Sequence, residues 1–397
     1  MLNCELTPSF WRNDAFIHLR KQIDTSFAAH LTPASNSESV SFQALVRQLY
    51  NDNLSGLRYA KNKGGTGHGL AAQALFAESL GRVPSGGIGM GLTIHLDMVA
   101  PIVDQQGSAH QIEEYLLPAL RGDIIFSHAV SEPHAGSDIS NIQTTAVKDG
   151  DGWRIDGCKS MIALASLADV HFVVARIPGH KPPFNKINFL IPAATTGVKV
   201  SSVTPTLGNN DCPIANITFD NVWVADSNRL GTAGMGMIHQ MQQFSQERIL
   251  SSLRANEVAR MCLTHAEHLL NKLNNLNPLN NLNNRHNKPN PSTASYVNSL
   301  NNLYTLKAEL NASKAITYKA MGTWIDNGNY HTLSCSSKLL SSRLVRQASI
   351  LALTVSKALG ENTDAQLVHY FNDARLYSIS TGSDEMMLKS IAASEKY

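Results

Sequence analysis

The segment from His128 to Asp138 carries the residues best suited to binding a polar ring or an anion. It reads His-Ala-Val-Ser-Glu-Pro-His-Ala-Gly-Ser-Asp. A Ser-Glu-Pro turn followed by Ala-Gly-Ser-Asp places exposed backbone N–H groups and the hydroxyls of Ser131 and Ser137 in one compact loop. Such a loop can hydrogen-bond the carbonyl edge of a flat heterocycle or an anionic group. Taken alone, the segment also fits an ordinary turn that ends in a helix N-cap.

Other reactive side chains are scattered and form no recognisable centre. The five cysteines lie far apart without a Cys-x-x-Cys pair, which argues against a disulfide framework or a structural zinc site. His265 and His268 lie three residues apart beside Glu267, but no third ligand supports a metal, so we expect none. The glycine clusters near residues 64–69 and 86–91 follow no clear strand, so they do not indicate a dinucleotide-binding fold.

Composition limits the function classes further. A chain of 397 residues with 43% hydrophobic residues can build two or three packed units. Charged residues make up 16%, against about 25% in an ordinary soluble domain, and the formal charge is +2. A balance so close to neutral argues against nucleic-acid binding. Because the N-terminus lacks a signal-peptide pattern and no uninterrupted apolar run reaches about 18–20 residues, we expect a cytoplasmic protein without a membrane span.

Three regions with different patterns must position these residues. Residues 1–122 show helical periodicity, residues 123–229 carry short β-branched or aromatic runs separated by turns, and residues 230–397 return to helical periodicity. The pattern predicts a helical domain, an antiparallel β barrel or sandwich, and a second helical domain. The expected C-terminal helices cover residues 236–273, 294–325, 338–359 and 363–376.

One stretch of the C-terminal region is rich in asparagine. Thirteen asparagines lie between Asn271 and Asn302. Because asparagine and proline disfavour helix interiors, the stretch predicts a polar loop that joins two helices of a hairpin. Its leucines, which recur every three residues from Leu273 to Leu282, are expected to rest on neighbouring helices; the alternative is a partner-binding stripe.

An ordered set of short motifs covers nearly the whole chain. The motifs, in chain order, are Gly-Gly-Thr-Gly at 64–67, Tyr-Leu-Leu-Pro-Ala-Leu-Arg-Gly at 115–122, the loop at 128–138, Trp-Arg-Ile-Asp-Gly-Cys-Lys at 153–159, Phe-Asp-Asn-Val-Trp-Val at 219–224, Arg-Leu-Gly at 229–231 and Asn-Asp-Ala-Arg at 372–375. In order and spacing this set resembles the acyl-CoA dehydrogenase family. No single motif is decisive, but the ordered set is specific.

The resemblance implies an α+β fold with an N-terminal helical domain, a middle antiparallel β domain and a C-terminal four-helix bundle. It also implies FAD-dependent oxidation of an acyl thioester to the trans-2-enoyl thioester. A carboxylate removes the α-proton, and flavin N5 accepts the hydride from Cβ. The expected partners are a substrate carried by CoA or an acyl carrier protein, an electron acceptor such as an electron-transfer flavoprotein, and further copies in a homodimer or homotetramer.

The catalytic base has two positions in this family. The commoner position, in a Tyr-Glu-Gly-Thr segment, corresponds here to Thr381, which cannot act as the base. The other position, found in the isovaleryl and long-chain branches, corresponds to Glu247 in Phe-Ser-Gln-Glu-Arg-Ile-Leu at 244–250. The resemblance therefore implies Glu247 as the base, with Phe244, Arg248 and Gly382 around the acyl group. Without a catalytic role, Glu247 and Arg248 would be an ion pair on a helix.

Flavin-binding residues carry over unevenly from the family pattern. Val130, Ser131 and Ser137 match the loop at the isoalloxazine edge, and Ser137 also matches a substrate-binding position. The family's Trp-Ile-Thr stretch corresponds to Met161, Ile162 and Ala163; methionine can pack on the ring, but alanine offers only its backbone N–H. Sites near the cofactor are also expected at Thr381 and Ser383.

The outer half of the FAD site departs most from the family. Its Arg-x-x-Phe-Gly segment falls in the asparagine-rich stretch, where only Arg285 is a loose candidate. Its glycine-rich diphosphate segment appears as Thr-Val-Ser-Lys-Ala-Leu-Gly at 354–360, where Lys357 offers replacement charge or is simply a solvated helix lysine. Two alternatives stay open: a flavin monooxygenase or oxidase on the same fold, against which Glu247 argues because such family members usually lack the base, and a degenerate family member with an interaction role, which these departures support.

Overall fold

The computed structural model describes residues 7–31, 41–276, 291–358 and 365–394. The N-terminal region is helical, as its periodicity predicts. Its helices are α1 (Asp14–His30), α2 (Phe42–Asn51), α3 (Leu70–Ser79), α4 (Gly86–Leu92), α5 (Ala100–Gln106), α6 (Ala109–Gln111) and α7 (Leu117–Arg121). Two π-helical stretches, Thr93–Val99 and Ile112–Leu116, join α4 to α5 and α6 to α7.

The run from Gly86 to Gln106 is a long and strongly apolar helical segment. Its 21 residues would suffice, by length and composition alone, to cross a membrane. Of its most apolar stretch, 89% is buried inside the protein. That burial is typical of a central helix in a globular core.

The middle region forms one mixed sheet. Its strands are β1 (Phe126–Ala129), β2 (Thr145–Asp149), β3 (Gly152–Ala163), β4 (Val170–Arg176), β5 (Lys186–Pro192), β6 (Val198–Val200), β7 (Ile214–Ala225) and β8 (Arg229–Gly234). The strand order is β6-β7-β3-β2-β4-β5-β8, with β1 paired to β4. Most pairs are antiparallel, as expected, whereas β1 and β2 each pair with β4 in parallel.

Apolar side chains from these strands build a common core. Phe189 faces Val173 across the β4–β5 pair, and both are fully buried. Ile155, Ile217 and Val222 extend this core along β3 and β7. The long strand β3 is interrupted by a register shift between Lys159 and Ile162, which matters for the site described below.

The C-terminal region is a set of long helices. They are α8 (Gly236–Leu276), α9 (Pro291–Ile325), α10 (His331–Ala358), α11 (Ala365–Ala374) and α12 (Asp384–Ser394). The predicted loop over residues 271–302 extends too far in both directions, since α8 continues to Leu276 and α9 already begins at Pro291. Proline is favoured in the first turn of a helix, and burial of Leu303 and Leu306 offsets the poor propensity of the asparagines nearby.

The expected packing of the leucines is confirmed for Leu273, which lies against the C-terminal core. The side chain of Leu276 and the residues Leu279 and Leu282 lie outside the described part of the chain, as does Arg285.

The chain divides into two compact units. The first unit comprises Asp14–Phe76 and Gly87–Glu247, so the N-terminal helices and the sheet group together. The second unit comprises Met1–Asn13, Ala77–Gly86 and Arg248–Tyr397. Helix α8 contributes to both, with the division between Glu247 and Arg248. The domain boundaries 1–122, 123–229 and 230–397 stay a prediction.

Candidate active site

In the first unit, the loop after β1 is fixed to β3 by paired hydrogen bonds. The Ser131 hydroxyl donates to the Ser160 carbonyl at 2.8 Å, and the Ser160 N–H donates to the Ser131 carbonyl at 3.0 Å. Glu132 and Ala135 exchange backbone hydrogen bonds at 3.1 Å, which closes the Glu-Pro turn. Val130 is buried before the turn, and Ser137 is exposed after it. The loop is therefore an ordered turn, and its last residue, Asp138, caps a short 3-10 helix by accepting a hydrogen bond from the Ser140 N–H at 3.1 Å.

A buried ion pair lies beneath this loop. Glu132 accepts hydrogen bonds from the N–H groups of Gln143 and Thr144, at 2.5 and 2.9 Å. The Lys159 ammonium donates to Glu132 at 2.8 Å and to the Val130 carbonyl at 2.9 Å. Burial lowers the pKa of Lys159 to about 8, although the Glu132 carboxylate acts in the opposite direction.

The pKa of Glu132 is lowered as well. Burial alone would raise it, but the Lys159 charge and the hydrogen bonds to this carboxylate outweigh that effect. Glu132 and Lys159 belong to two of the sequence motifs, but the motifs alone did not predict a role for either residue. The position of Lys159 inside a long strand pattern could have marked it, because a lysine is unusual there.

The register shift in β3 turns Met161 out of the sheet. Met161 has a positive φ of 56°, and 55% of its side chain is exposed. Its N–H donates to the Asn216 side-chain carbonyl at 3.1 Å. Ile162, by contrast, is buried in the β core, so its side chain faces away from any ligand outside the sheet. Ala163 is half-buried at the end of the strand.

The start of α8 brings Phe244 and Glu247 into the first unit. The His128 ring stacks on Phe172 at 5.1 Å and meets Phe244 edge-on at 6.0 Å. One ring nitrogen of His128 lies 2.9 Å from the Gln240 side-chain oxygen. Burial lowers the pKa of His128 to about 4, so the ring is neutral at pH 7. Glu247 itself is only 3% exposed.

In the second unit, Arg248 holds the segment that corresponds to the family's commoner base position. Its Nε donates to the Thr381 carbonyl at 3.1 Å, and its Nη1 lies 3.5 Å from the Cys335 sulfur. Thr381 and Gly382 both have positive φ, 57° and 107°. The buried Lys338 ammonium also donates to the Gly382 carbonyl at 3.5 Å. The contacts of Arg248 make it a residue that positions this turn.

The acidic residues after Gly382 are poorly placed to act as a base. The Asp384 carboxylate accepts from Ser342 at 2.8 Å and Arg343 at 3.2 Å. Glu385 is exposed, and a hydrogen bond from Ser383 lowers the pKa of its carboxyl. Proton abstraction next to a thioester favours a desolvated carboxylate. Of the three carboxylates of Glu247, Asp384 and Glu385, that of Glu247 is the most buried.

The described residues contain no group of three or more His, Cys, Asp or Glu side chains arranged to hold a metal ion. Four of the cysteines are described, and all four are free thiols. Lys357 is exposed in the last turn of α10, in line with the solvated-lysine alternative.

Comparison with known protein families identifies the chain as a flavin oxidoreductase. Family models match three successive segments: the acyl-CoA dehydrogenase N-terminal domain at residues 16–123, the middle domain at 127–222 and the C-terminal domain at 295–395. The chain therefore belongs to the acyl-CoA dehydrogenase family. Members of this family use FAD to dehydrogenate acyl thioesters, and the expected three-part fold is confirmed.

Individual relatives are distant. The chain is 26% identical to a 3-(aryl)acrylate reductase of Clostridium sporogenes over 88% of this chain and 89% of that protein. It is 31% identical to an L-prolyl-[peptidyl-carrier protein] dehydrogenase of Serratia over 52% of this chain and 54% of that protein. A solved structure of the prolyl acyl carrier protein oxidase AnaB matches with a TM-score of 0.85 and 22% identity, covering 97% of this chain and all of that one.

The residues of the first unit fit one edge of a flavin. The exposed thioether of Met161 offers an apolar surface for a ring, while Ser131 and Ser137 place hydroxyls on the neighbouring loop. The Glu132–Lys159 pair holds that loop rigidly against β3. The candidate for the outer half of the cofactor, Arg285, lies outside the described residues.

Proposed function

We propose that this chain oxidises an acyl thioester with Glu247 as the catalytic base. The observation that carries the proposal is the burial of Glu247, 3% exposed, in a chain whose alternative base position is Thr381. A carboxylate removed from water is a stronger base toward a carbon acid than a solvated one. When bound, FAD supplies a hydride acceptor.

The other residues have supporting roles in this proposal. Val130, Ser131 and Ser137 bind the flavin edge, and Ser137 also contacts the substrate. Met161 packs on the ring, while Ile162 and Ala163 contribute through their backbone. Phe244 and Gly382 border the acyl group, and Arg248 holds the Thr381–Gly382 turn through the Thr381 carbonyl. Thr381 and Ser383 are the cofactor-binding candidates on the second unit.

The proposed partners follow from the family and its named members. The acyl group is carried by CoA or by a carrier protein; two of the similar proteins are named for prolyl carrier-protein substrates. We propose an electron-transfer flavoprotein as the acceptor, a cytoplasmic location and a homodimer or homotetramer.

The test is the visible spectrum of the purified protein and its Glu247→Gln variant. The wild-type protein should show the flavin band at about 450 nm and lose it on addition of an acyl thioester. Glu247→Gln should keep the band but bleach at least about 100-fold more slowly, because it lacks the base. The control is Glu385→Gln, which removes an exposed carboxylate near the other base position and should bleach at the wild-type rate.

Two outcomes would contradict the proposal. Bleaching of Glu247→Gln at the wild-type rate would show that another group is the base. A protein that binds no FAD when the cofactor is supplied would support the alternative of a degenerate member with an interaction role.

A further inference from the structure

The bulge in β3 places two residues opposite one residue of β7. Ser160 and Met161 together lie opposite Asn216, because the pairing of the two strands shifts by one residue between Lys159 and Ile162. An extra residue of this kind loses its place in the ladder, so its backbone groups need other partners. Bulges are frequent next to active sites, where they redirect a side chain.

Two different elements bind the backbone groups of the extra residues. The Ser160 N–H and carbonyl are bonded to Ser131 of the loop after β1, at 3.0 and 2.8 Å. The Met161 N–H donates to the side-chain oxygen of Asn216 at 3.1 Å. A backbone N–H can only donate, so the oxygen of the Asn216 amide must be the atom that faces it. The Asn216 side chain therefore replaces the ladder bond that the bulge removes.

Met161 depends on this bond because its backbone lies in the left-handed region. Its φ of 56° is one that a residue other than glycine keeps only where the surroundings hold it. Side-chain packing does not hold it, since 55% of the Met161 side chain is exposed. Asn216 is itself anchored on β7: its N–H donates to the Ser201 hydroxyl at 3.0 Å, and its carbonyl accepts from the Ser201 N–H at 2.9 Å. An anchored amide thus sets the direction in which the Met161 thioether leaves the sheet.

We propose that Asn216 is a positioning residue for the flavin and acts through Met161. This inference rests on the proposed function, in which the Met161 thioether packs on the flavin ring. Without the Asn216 oxygen, Met161 relaxes toward the negative φ of an ordinary strand, and its side chain loses the direction that the bulge gives it. Asn216 needs no contact of its own with the cofactor.

The experiment measures the dissociation constant of FAD by titrating the flavin-free, full-length protein and following flavin fluorescence. Asn216→Leu keeps a side chain of similar size but removes the acceptor. We expect FAD to bind about 5- to 10-fold more weakly to this variant, the effect of one lost hydrogen bond. Asn216→Asp keeps an oxygen at the same position and should recover most of that loss.

A double-mutant cycle shows whether Asn216 acts through Met161. Met161→Ala removes the thioether and weakens FAD binding by itself. Because Asn216 acts through that side chain, adding Asn216→Leu to Met161→Ala should weaken FAD binding further by less than about twofold. The same 5- to 10-fold loss in both backgrounds would show that the two residues act independently and would overturn the proposal.

A matched control exists in the same pair of strands. Asn221 on β7 also has a positive φ, 51°, and its N–H donates to the Asp156 carboxylate at 2.7 Å. It lies five residues from Asn216, about 16 Å along the strand. Asp156→Leu removes that acceptor and should lower the midpoint of urea denaturation, but it should leave the FAD dissociation constant within about twofold of the wild-type value.

An unchanged FAD dissociation constant in Asn216→Leu, or an equal loss in Asp156→Leu, would leave Asn216 with only a structural role in the sheet and overturn the proposal. If Asn216→Leu does not fold, Asn216→Ala removes the same oxygen without adding apolar surface and makes the same comparison. Failure of the proposed function is recognised separately. A wild-type protein that binds FAD but is not bleached by an acyl thioester contradicts that function alone, whereas one that binds no FAD contradicts both.

Discussion

At Gly382, the backbone conformation determines which substitutions the protein tolerates. Its φ of 107° lies in a region that side chains rarely adopt, and an added Cβ would come within 2.6 Å of the Met387 methyl group. The same added atom would contact the Arg248 guanidinium at 3.5 Å. A substitution here therefore strains the turn that Arg248 holds through Thr381.

We predict that Gly382→Ala lowers the free energy of unfolding by about 1–3 kcal/mol, the usual cost of forcing a side chain into such a conformation. Urea denaturation followed by circular dichroism measures it. The matched control is Gly322→Ala in α9, where an added Cβ meets nothing within 4 Å. That control should stabilise by about 0.5–1 kcal/mol, because alanine favours helix. Destabilisation in both variants would show that backbone strain is not the cause.

The sequence supports some of the proposed site residues more directly than others. Ser131 and Ser137 are recognisable because hydroxyls beside Gly and Pro mark a binding turn. Glu247 is identified only through the family, since a Glu-Arg pair on a helix has many uses. The buried hydrogen bond between the Gln73 side chain and Asp97 was not predicted, because it joins two helical segments that are distant in sequence and no local pattern encodes such a contact.

At the scale of secondary-structure elements, a buried salt bridge joins the loop after β1 to the strand β3. The side chains of Lys159 and Glu132 are 0% and 5% exposed. A buried charge that loses its partner stays desolvated, and this costs more than the original pair contributed. The conformation of the loop that carries Ser131 and Ser137 should therefore depend on Lys159 and Glu132 together.

We predict that Lys159→Met lowers the free energy of unfolding by about 3–5 kcal/mol, because the Glu132 carboxylate is left buried without its counter-ion. The double variant with Glu132→Gln should lose less than Lys159→Met alone, since the remaining amide is neutral. A double-mutant cycle by urea denaturation measures this coupling. Strictly additive losses would contradict it. As a control, Lys199→Met removes an exposed partner of Asp220 and should change stability by less than about 1 kcal/mol.

The elements themselves were predicted with uneven success, for physical reasons. The strands β4 and β5 are continuous buried runs of β-branched and aromatic residues, so the sequence pattern predicts them. The three-residue, largely exposed β6 and the strand β8, which reads Arg-Leu-Gly-Thr-Ala-Gly, lack the apolar pattern that marks a strand and were missed. The bulge at Ser160 and Met161 was also missed, because a register shift is set by pairing with β7 rather than by local sequence.

On the scale of the whole molecule, the order of helical, β and helical regions was predictable because each region has one dominant period. Charged residues are few in this chain, and some of them form buried ion-pair networks. Within the second unit, Glu257 is 3% exposed and accepts from Arg260 at 2.9 Å, while Lys314 lies 3.7 Å away. Burying a few charges in networks is possible only where partners are arranged in advance.

Stability of the first unit should fall in mild acid because three of its histidines, the buried His95 and His171 and the half-buried His128, resist protonation in the folded state. Burial lowers the pKa values of His95, His128 and His171 to about 4, against 6.5 in the unfolded chain. Between these values the unfolded chain binds more protons, so the free energy of unfolding decreases as pH falls from about 6.5 toward 4. Each histidine contributes about 1–2 kcal/mol between pH 7 and 5.

His171 offers the clearest test, because its Nδ1 lies 2.7 Å from the Ser127 hydroxyl and its Nε2 is buried without a partner among the described residues. A proton on Nε2 would therefore be both desolvated and unpaired. His171→Asn, which cannot take up that proton, should reduce the loss between pH 7 and 5 by about 1–2 kcal/mol. Urea denaturation at both pH values measures it, with the exposed His268→Asn as the control that keeps the wild-type slope. If both variants lose stability as steeply as the wild-type protein, the acid sensitivity arises from other groups.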